Sequence, residues 1–395
     1  MTTQTLFTGG LVFDGHGELL EQTAVLVEGD TITQVAPASL FDGFSGTIVD
    51  TTGATLMPGL IDCHVHLCYP GTADPSAAIA ALPPGAVTLA VLENAQLSLR
   101  RGITSLRDCG GREYLEIPVR DTVNNGAFQG PTIQCAGRVI CMTGGHGRRW
   151  GRIADGRSEI VKAVREQVQA GCDFVKIMAT GGVMTPGVNP KDAHYTGEEM
   201  AWAIQEARRL NRKTATHAQG TEGILNAVRG GITSIEHGVY LDEVCIEEMI
   251  AAGTYLVPTI SALKNMLEHA DQGIPSYMVE KCTQVAQYQQ ELLLSFYHAG
   301  GRLAMGTDAG TPFNLHGFNA GELQRMVDYG IAEKDALKAG CAAAAELMGL
   351  ERHGRIERGA AADLLLVKGN PLEEIAMAAD YRNHIAVYKN GLLVQ

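Results

Sequence analysis

Within the segment PGLIDCHVHL, His64 and His66 stand two residues apart. On a strand, residues i and i+2 face the same side, so both imidazoles can aim at one point. Imidazole nitrogen suits Zn, Fe, Ni or Mn, and a carboxylate completes such a set. Further along the chain come Lys176 in DFVKIMAT, His217 in KTATHA, His237 in TSIEHG and Asp308 in RLAMGTDAG. Each has a plainer reading on its own. An isolated HxH pair is more often two hydrogen-bonded histidines than a metal site. Asp308 suits a turn or a helix cap, and Lys176 suits an edge lysine that snorkels to water.

The elements that must carry these groups change that balance. Eight strand-like segments follow one another from residue 56 to 310: LMPGLIDCHVHL, ITSLRDCG, TIQCAGRVI, DFVKIMAT, KTATHA, TSIEHG, TYLVPTI and RLAMGTDAG. Between them lie stretches such as SEIVKAVREQVQAG, GEEMAWAIQEARRLN and TEGILNAVRGG, with apolar residues three and four apart and a closing Gly or Asn. Eight alternating β and α units predict a (β/α)8 TIM barrel, in which chemistry sits at the C-terminal ends of the strands. An open doubly wound sheet is the alternative, but no GxGxxG follows the first strand. On the barrel, His64 and His66 end the first strand, Lys176 lies on the fourth, His217 ends the fifth, His237 the sixth and Asp308 the eighth. Burying all of them without a metal or partners would cost several kcal/mol.

Both ends of the chain read as strands split by turns. TAVLVEGDTITQVA has an EGD turn between two runs rich in Val, Ile and Thr, and HIAVYKNGLLVQ has a KNG turn. The fold class is therefore α/β: the barrel at residues 56–359, plus a small discontinuous β-sandwich domain built from both termini, residues 1–55 and 360–395.

Several groups near these strand ends could meet a substrate. Arg148 and Arg149 suit charge-assisted binding of a carboxylate, or equally a solvated loop. His316 in FNLHG either lines a pocket or packs at a helix start. GGVMTPG after Lys176 reads as a loop over the site. Cys63, next to His64, should face away from it and belong to the core.

Bulk properties narrow the function. The chain has 395 residues, 45% hydrophobic and 19% charged, which is ordinary globular composition. Its formal charge of −13 is poorly suited to nonspecific binding of nucleic acid or an anionic membrane. Nine scattered cysteines without a CxxC pair read as reduced thiols in the cytoplasm. No signal peptide is visible, and no apolar run reaches the roughly 20 residues needed to span a bilayer.

At the level of whole motifs the chain resembles the amidohydrolase superfamily, in particular its metal-dependent prolidase and arginine/lysine carboxypeptidase-like branch, related to imidazolonepropionase. The matching segments are MPGLIDCHVHL, RGITSLRDCGG, TGGHG, VKIMATGGVMTPG, THAQG, SIEHG, GTDAGTP and GRIERGAAADLLLVKGNPLEEI. The resemblance implies two divalent metal ions, zinc first among Zn, Fe, Co and Mn. His64, His66 and Asp308 would hold one ion, and His217 and His237 the other. Lys176, carboxylated on its side-chain nitrogen, would bridge them. Metal-activated hydroxide would then attack an amide carbonyl, with Asp308 shuttling the proton to the leaving amine. His146 in TGGHG and Tyr240 in EHGVYLD would hydrogen-bond the oxyanion or a substrate carboxylate. The substrate would be a small molecule with an amide bond, cleaved by a dipeptidase or carboxypeptidase type of enzyme. Non-peptide amides are the alternative: an N-acyl amino acid, a mycotoxin amide, an arylurea or a carbamate. A barrel that has lost catalysis and serves in assembly is a remote third reading. Barrels of this branch commonly form homo-oligomers.

Overall fold

Val, Ile and Thr crowd the first sixty residues, and there the chain pairs as sheet. A computed structural model describes residues 4–394. One four-stranded sheet contains Gln4–Thr8, Thr23–Glu28, Thr31–Pro37 and Thr47–Asp50. The EGD turn closes the hairpin with Glu28 opposite Thr31. A six-stranded sheet joins both ends of the chain: Leu11–Phe13, Leu19–Leu20 and Ala54–Pro58 from one, Leu364–Lys368, His384–Lys389 and Leu392–Leu393 from the other. Its KNG turn has φ of 51° at Asn390 and 75° at Gly391. Two left-handed central residues are what the twist of a two-residue hairpin requires. Phe7, Val25, Val27 and Ile32 pack with Leu56, Leu364, Leu366 and Tyr388 in one core, so the two sheets form a sandwich built from both termini.

The rest of the chain alternates strand and helix. The barrel strands are β1 (Leu60–Val65), β2 (Ile103–Asp108), β3 (Thr132–Cys135), β4 (Phe174–Met178), β5 (Lys213–Ala218), β6 (Ser234–His237), β7 (Tyr255–Val257) and β8 (Arg302–Leu303). β4 to β8 pair in parallel, each with the next. β1, β2 and β3 are neighbours in a second sheet. The ring closes through Asp173 N–H to Cys135 O at 2.8 Å on one side and a parallel bridge between Val65 and Ala309 on the other. Every residue of β1 and β2 is buried, as expected for parallel strands covered on both faces.

The crossover helices follow the sequence pattern. In Gly156–Gln169, Ile160, Ala163, Val164 and Gln167 are buried, which is one face at helical spacing. Each fully buried Ile or Val there contributes about 1.5–3 kcal/mol. The helix Gly197–Arg209 starts with a capping box between Thr196 and Glu199. Thr221–Gly230 ends on Gly231 at φ 89°.

By compactness the chain separates into two units. One comprises the residues up to Asp62 with Gln96–Ser105 and Gly317–Gln395; the other comprises Cys63–Ala95 and Leu106–His316. All the candidate metal-site residues fall in the second unit. Among the described residues, no helix is long and apolar enough to cross a membrane.

Candidate active site

The parallel register staggers the strand ends around one centre. His217 on β5 lies beside Met178 of β4, and His237 on β6 lies beside Ala218 of β5. A cavity of about 330 Å³ opens there, lined among others by His64, His66, Lys176, His217, His237 and Asp308. The imidazoles form a chain. Ring centroids are 5.4 Å apart for His64 and His66, 5.2 Å for His64 and His237, and 4.5 Å for His217 and His237. Asp308 Oδ1 lies 3.4 Å from His64 Nε2 and 3.3 Å from His66 Nε2, and among the described residues it accepts no aligned hydrogen bond. His64, His66 and Asp308 thus form a group able to hold one ion.

The other nitrogen of each imidazole is engaged. His64 Nδ1 meets Glu236 Oε2 at 2.8 Å, His66 Nδ1 meets Gly110 O at 2.6 Å, and His237 Nδ1 meets Thr259 Oγ1 at 2.7 Å. These contacts make Nδ1 the protonated nitrogen of His64 and His66, leaving Nε2 as the lone-pair nitrogen. His217 is turned the other way, with Nε2 2.9 Å from Gly181 O, so its Nδ1 is the free nitrogen. Burial, then the nearby positive charges, pushes the His64 imidazole well below its usual range. Burial does the same to His217 and His237. His66 goes the other way: burial opposes its protonation, but the Asp308 carboxylate beside it more than compensates. Neutral imidazoles are the form that binds a metal.

Lys176 is 1% exposed, and its Nζ has no hydrogen-bond partner among the described residues. An isolated buried ammonium is costly, so this nitrogen calls for an anionic form or for ligands the polypeptide alone does not supply. The unpartnered Nζ, the Asp308 oxygen set between two imidazole nitrogens and the three imidazoles that burial keeps neutral together fit a bound cation centre.

Three non-glycine residues of this wall hold left-handed backbone: His237 at φ 74°, Thr259 at φ 49° and Asp308 at φ 60°. Such strain costs of order 1–3 kcal/mol each and gathers at functional sites. Glycine makes room at two points. A Cβ on Gly306 would lie 2.9 Å from His64 Cβ, and one on Gly182 would lie 2.5 Å from His146 Nε2.

The rim is built from loops. His146 lines the cavity, with its ring 4.4 Å from that of His217 and Nδ1 2.8 Å from Thr185 Oγ1. Burial lowers its pKa to about 3. Arg148 and Arg149 both line the cavity but differ in what they touch. Arg148 donates to Gly144 O at 2.9 Å and to Pro186 O at 3.2 Å. Arg149 is exposed. Lys281 Nζ donates to Thr185 O at 2.6 Å and Tyr277 Oη to Met184 O at 3.2 Å, so the GGVMTPG loop is fastened over the site from several directions. Val183, Met184, Leu263 and Met266 make one wall apolar.

The geometry does not bring Tyr240 or His316 to the cavity wall. The Tyr240 ring packs 5.3 Å from that of Tyr288, with Lys191 Nζ 4.6 Å from its centroid. His316 is buried behind the first strand's end, with Nε2 3.2 Å from His66 O. Cys63 is fully buried and off the wall. Sequence reasoning missed Glu236, Arg107 and Thr259. Glu236 carried a signal, as a carboxylate next to a candidate ligand; Thr259 carried none, since a β-branched residue is the last to suggest left-handed backbone.

Comparison with known proteins agrees with this geometry. A family model for the amidohydrolase family matches residues 55–394. Ochratoxinase of Aspergillus niger is 30% identical, over 98% of this chain and 86% of that protein. A solved prolidase complexed with N-methylphosphonate-L-proline has a TM-score of 0.90 at 31% identity, covering 100% of both chains. A Xaa-Pro dipeptidase with methionine bound in its active site has a TM-score of 0.89 at 29% identity, covering 99% of each chain. The chain belongs to the amidohydrolase family, on its prolidase-like branch, and is a hydrolase of amide bonds.

Proposed function

We propose that this chain is a binuclear metal-dependent hydrolase that cleaves an amide next to a free carboxylate, as a dipeptidase or carboxypeptidase does. The observation that carries the reading is the meeting of six groups from five barrel strands and the turns after them in one cavity, with Lys176 Nζ unpartnered and Asp308 Oδ1 set between two imidazole nitrogens. His64, His66 and Asp308 would hold one ion, His217 and His237 the other, and Lys176 would serve both as its carbamate. Carbamate formation joins Nζ to the carbon of CO₂; starting from the ammonium it releases two protons, turning a costly buried cation into an anionic ligand. The ions, with zinc the first choice and Fe, Co or Mn acceptable to the same donors, supply Lewis acidity and lower the pKa of water.

The chain's own groups do the rest. The Asp308 carboxylate takes the proton from the attacking water and delivers it to the leaving nitrogen. His146 Nδ1 lies 2.8 Å from Thr185 Oγ1; with the hydroxyl donating there, the ring would carry its proton on Nε2 and donate it to the carbonyl oxygen as charge develops. Arg149 meets the substrate carboxylate at the mouth, while Arg148, its hydrogen bonds spent on backbone, holds the rim in shape. The apolar wall of Val183, Met184, Leu263 and Met266 takes an apolar side chain. We assign catalysis to residues 56–359 and a supporting role to the sandwich of 1–55 and 360–395.

A second reading keeps the centre and changes the substrate to a non-peptide amide. The likeness to ochratoxinase supports it. A screen of dipeptides, N-acyl amino acids and arylureas against the metal-loaded protein separates the two. Turnover confined to dipeptides supports the first reading, and turnover confined to arylureas, which have no carboxylate beside the scissile bond, overturns it.

A further inference from the structure

One of the four imidazoles has a different kind of partner from the rest. His66, His217 and His237 meet neutral oxygens, whereas His64 meets a carboxylate. That carboxylate is itself held on all sides. Glu236 Oε1 accepts from Arg107 NH2 at 2.7 Å and from Ser234 Oγ at 2.5 Å. Arg107 also donates from Nε to Cys63 O at 2.5 Å and from NH1 to Ser234 Oγ at 3.1 Å, and its guanidinium lies over the Phe174 ring at 5.1 Å. Glu236, Arg107 and His64 are all almost fully buried.

Glu236 could instead be a ligand, since His64, Cys109 and Glu236 also lie close enough together to hold an ion. The hydrogen bonds argue otherwise. Both oxygens of Glu236 are already engaged, and burial pushes the Cys109 thiol up to about 12, so it stays protonated. A fixed carboxylate behind an imidazole locks its tautomer and makes its other nitrogen a stronger donor.

We propose that Glu236, clamped by Arg107 and Ser234, is a positioning residue that acts through His64 and sets the metal affinity of the site. The inference rests on the metal-centre reading above. The competing explanation is that Glu236 and Arg107 form a buried ion pair that matters only for folding.

The test compares the wild-type protein with Glu236→Gln and with Glu236→Gln/Arg107→Met. Zinc affinity is read by competition with a chromophoric chelator, thermal stability on metal-free protein, and ligand field from the absorption of the cobalt form. The single variant leaves Arg107 buried without its anion, so both stability and affinity fall. The double variant removes both charges, and the metal-free Tm returns toward wild type. Zinc affinity of the double variant stays about 10–100-fold weaker and the cobalt bands stay shifted, because His64 still lacks its carboxylate. Recovery of wild-type zinc affinity together with Tm overturns the proposal.

Should the charge variants not fold, Ser234→Ala keeps the test open. It removes one hydroxyl from Oε1 and is expected to weaken zinc by several-fold; unchanged affinity overturns the proposal. A wild-type protein that binds no zinc at all is a separate outcome, which refutes the metal centre itself.

Discussion

The floor and the rim of the cavity are built by opposite means. At the floor, the imidazoles are held by other side chains or by backbone carbonyls: His64 by Glu236, His237 by Thr259, His66 by Gly110 O, His217 by Gly181 O. At the rim, side chains hold loop backbone: Arg148 grips Gly144 and Pro186, Lys281 grips Thr185, and Tyr277 grips Met184. A floor of this kind fixes ligand geometry and hence reaction type. A rim of this kind can change shape through loop sequence while the chemistry beneath it stays the same. The relatives fit that division, since ochratoxinase and a Xaa-Pro dipeptidase differ in the substrates they are named for while resembling one chain over nearly its full length.

If the comparison is sound, substitutions at the floor stop chemistry and substitutions at the rim redirect it. The largest effect belongs to Asp308→Asn, which keeps the shape but cannot take a proton. It should lower kcat about 10²–10⁴-fold while metal content stays at the wild-type level. Near-normal turnover by this variant would remove Asp308 from proton transfer. Gly182→Ala lies where the two regions meet. Its Cβ would lie 2.5 Å from His146 Nε2, so the ring must move. A displacement of this kind should cost about 10²-fold in kcat with metal affinity unchanged. A silent Gly182→Ala would show that the His146 position does not matter.

The rim arginines should show the smallest and most selective effects. Arg149→Met should raise KM about tenfold for carboxylate-bearing substrates and leave neutral amides alone. Arg148→Met, which loosens loop backbone, should impair both substrate types alike by a few-fold. Equal profiles for the two variants would erase the distinction drawn between them.

The same division explains what the sequence makes legible. Barrel order follows from eight strand and helix alternations, and the hairpins at EGD and KNG follow from turn chemistry, because both depend on local patterns. His64 and His66 follow from two-residue alternation along β1. Glu236 escapes the same rule, because alternation puts it and His237 on opposite faces. In the structure, the left-handed backbone at His237 breaks alternation at the strand's end, so both residues serve the site. The rim is harder still. That Arg148 is occupied depends in part on a carbonyl 38 residues away in the chain, at Pro186. Tyr240 shows the same limit, since its distance in sequence from His237 does not reveal that its ring packs against Tyr288.

The central claim is that the floor holds metal. It is tested most directly by metal analysis of the zinc-loaded chain before and after chelation, with activity followed in parallel. The account predicts about two ions per chain, lost together with activity on chelation and restored together with it on reloading. A chain that hydrolyses its substrate at full rate with no bound metal would contradict it.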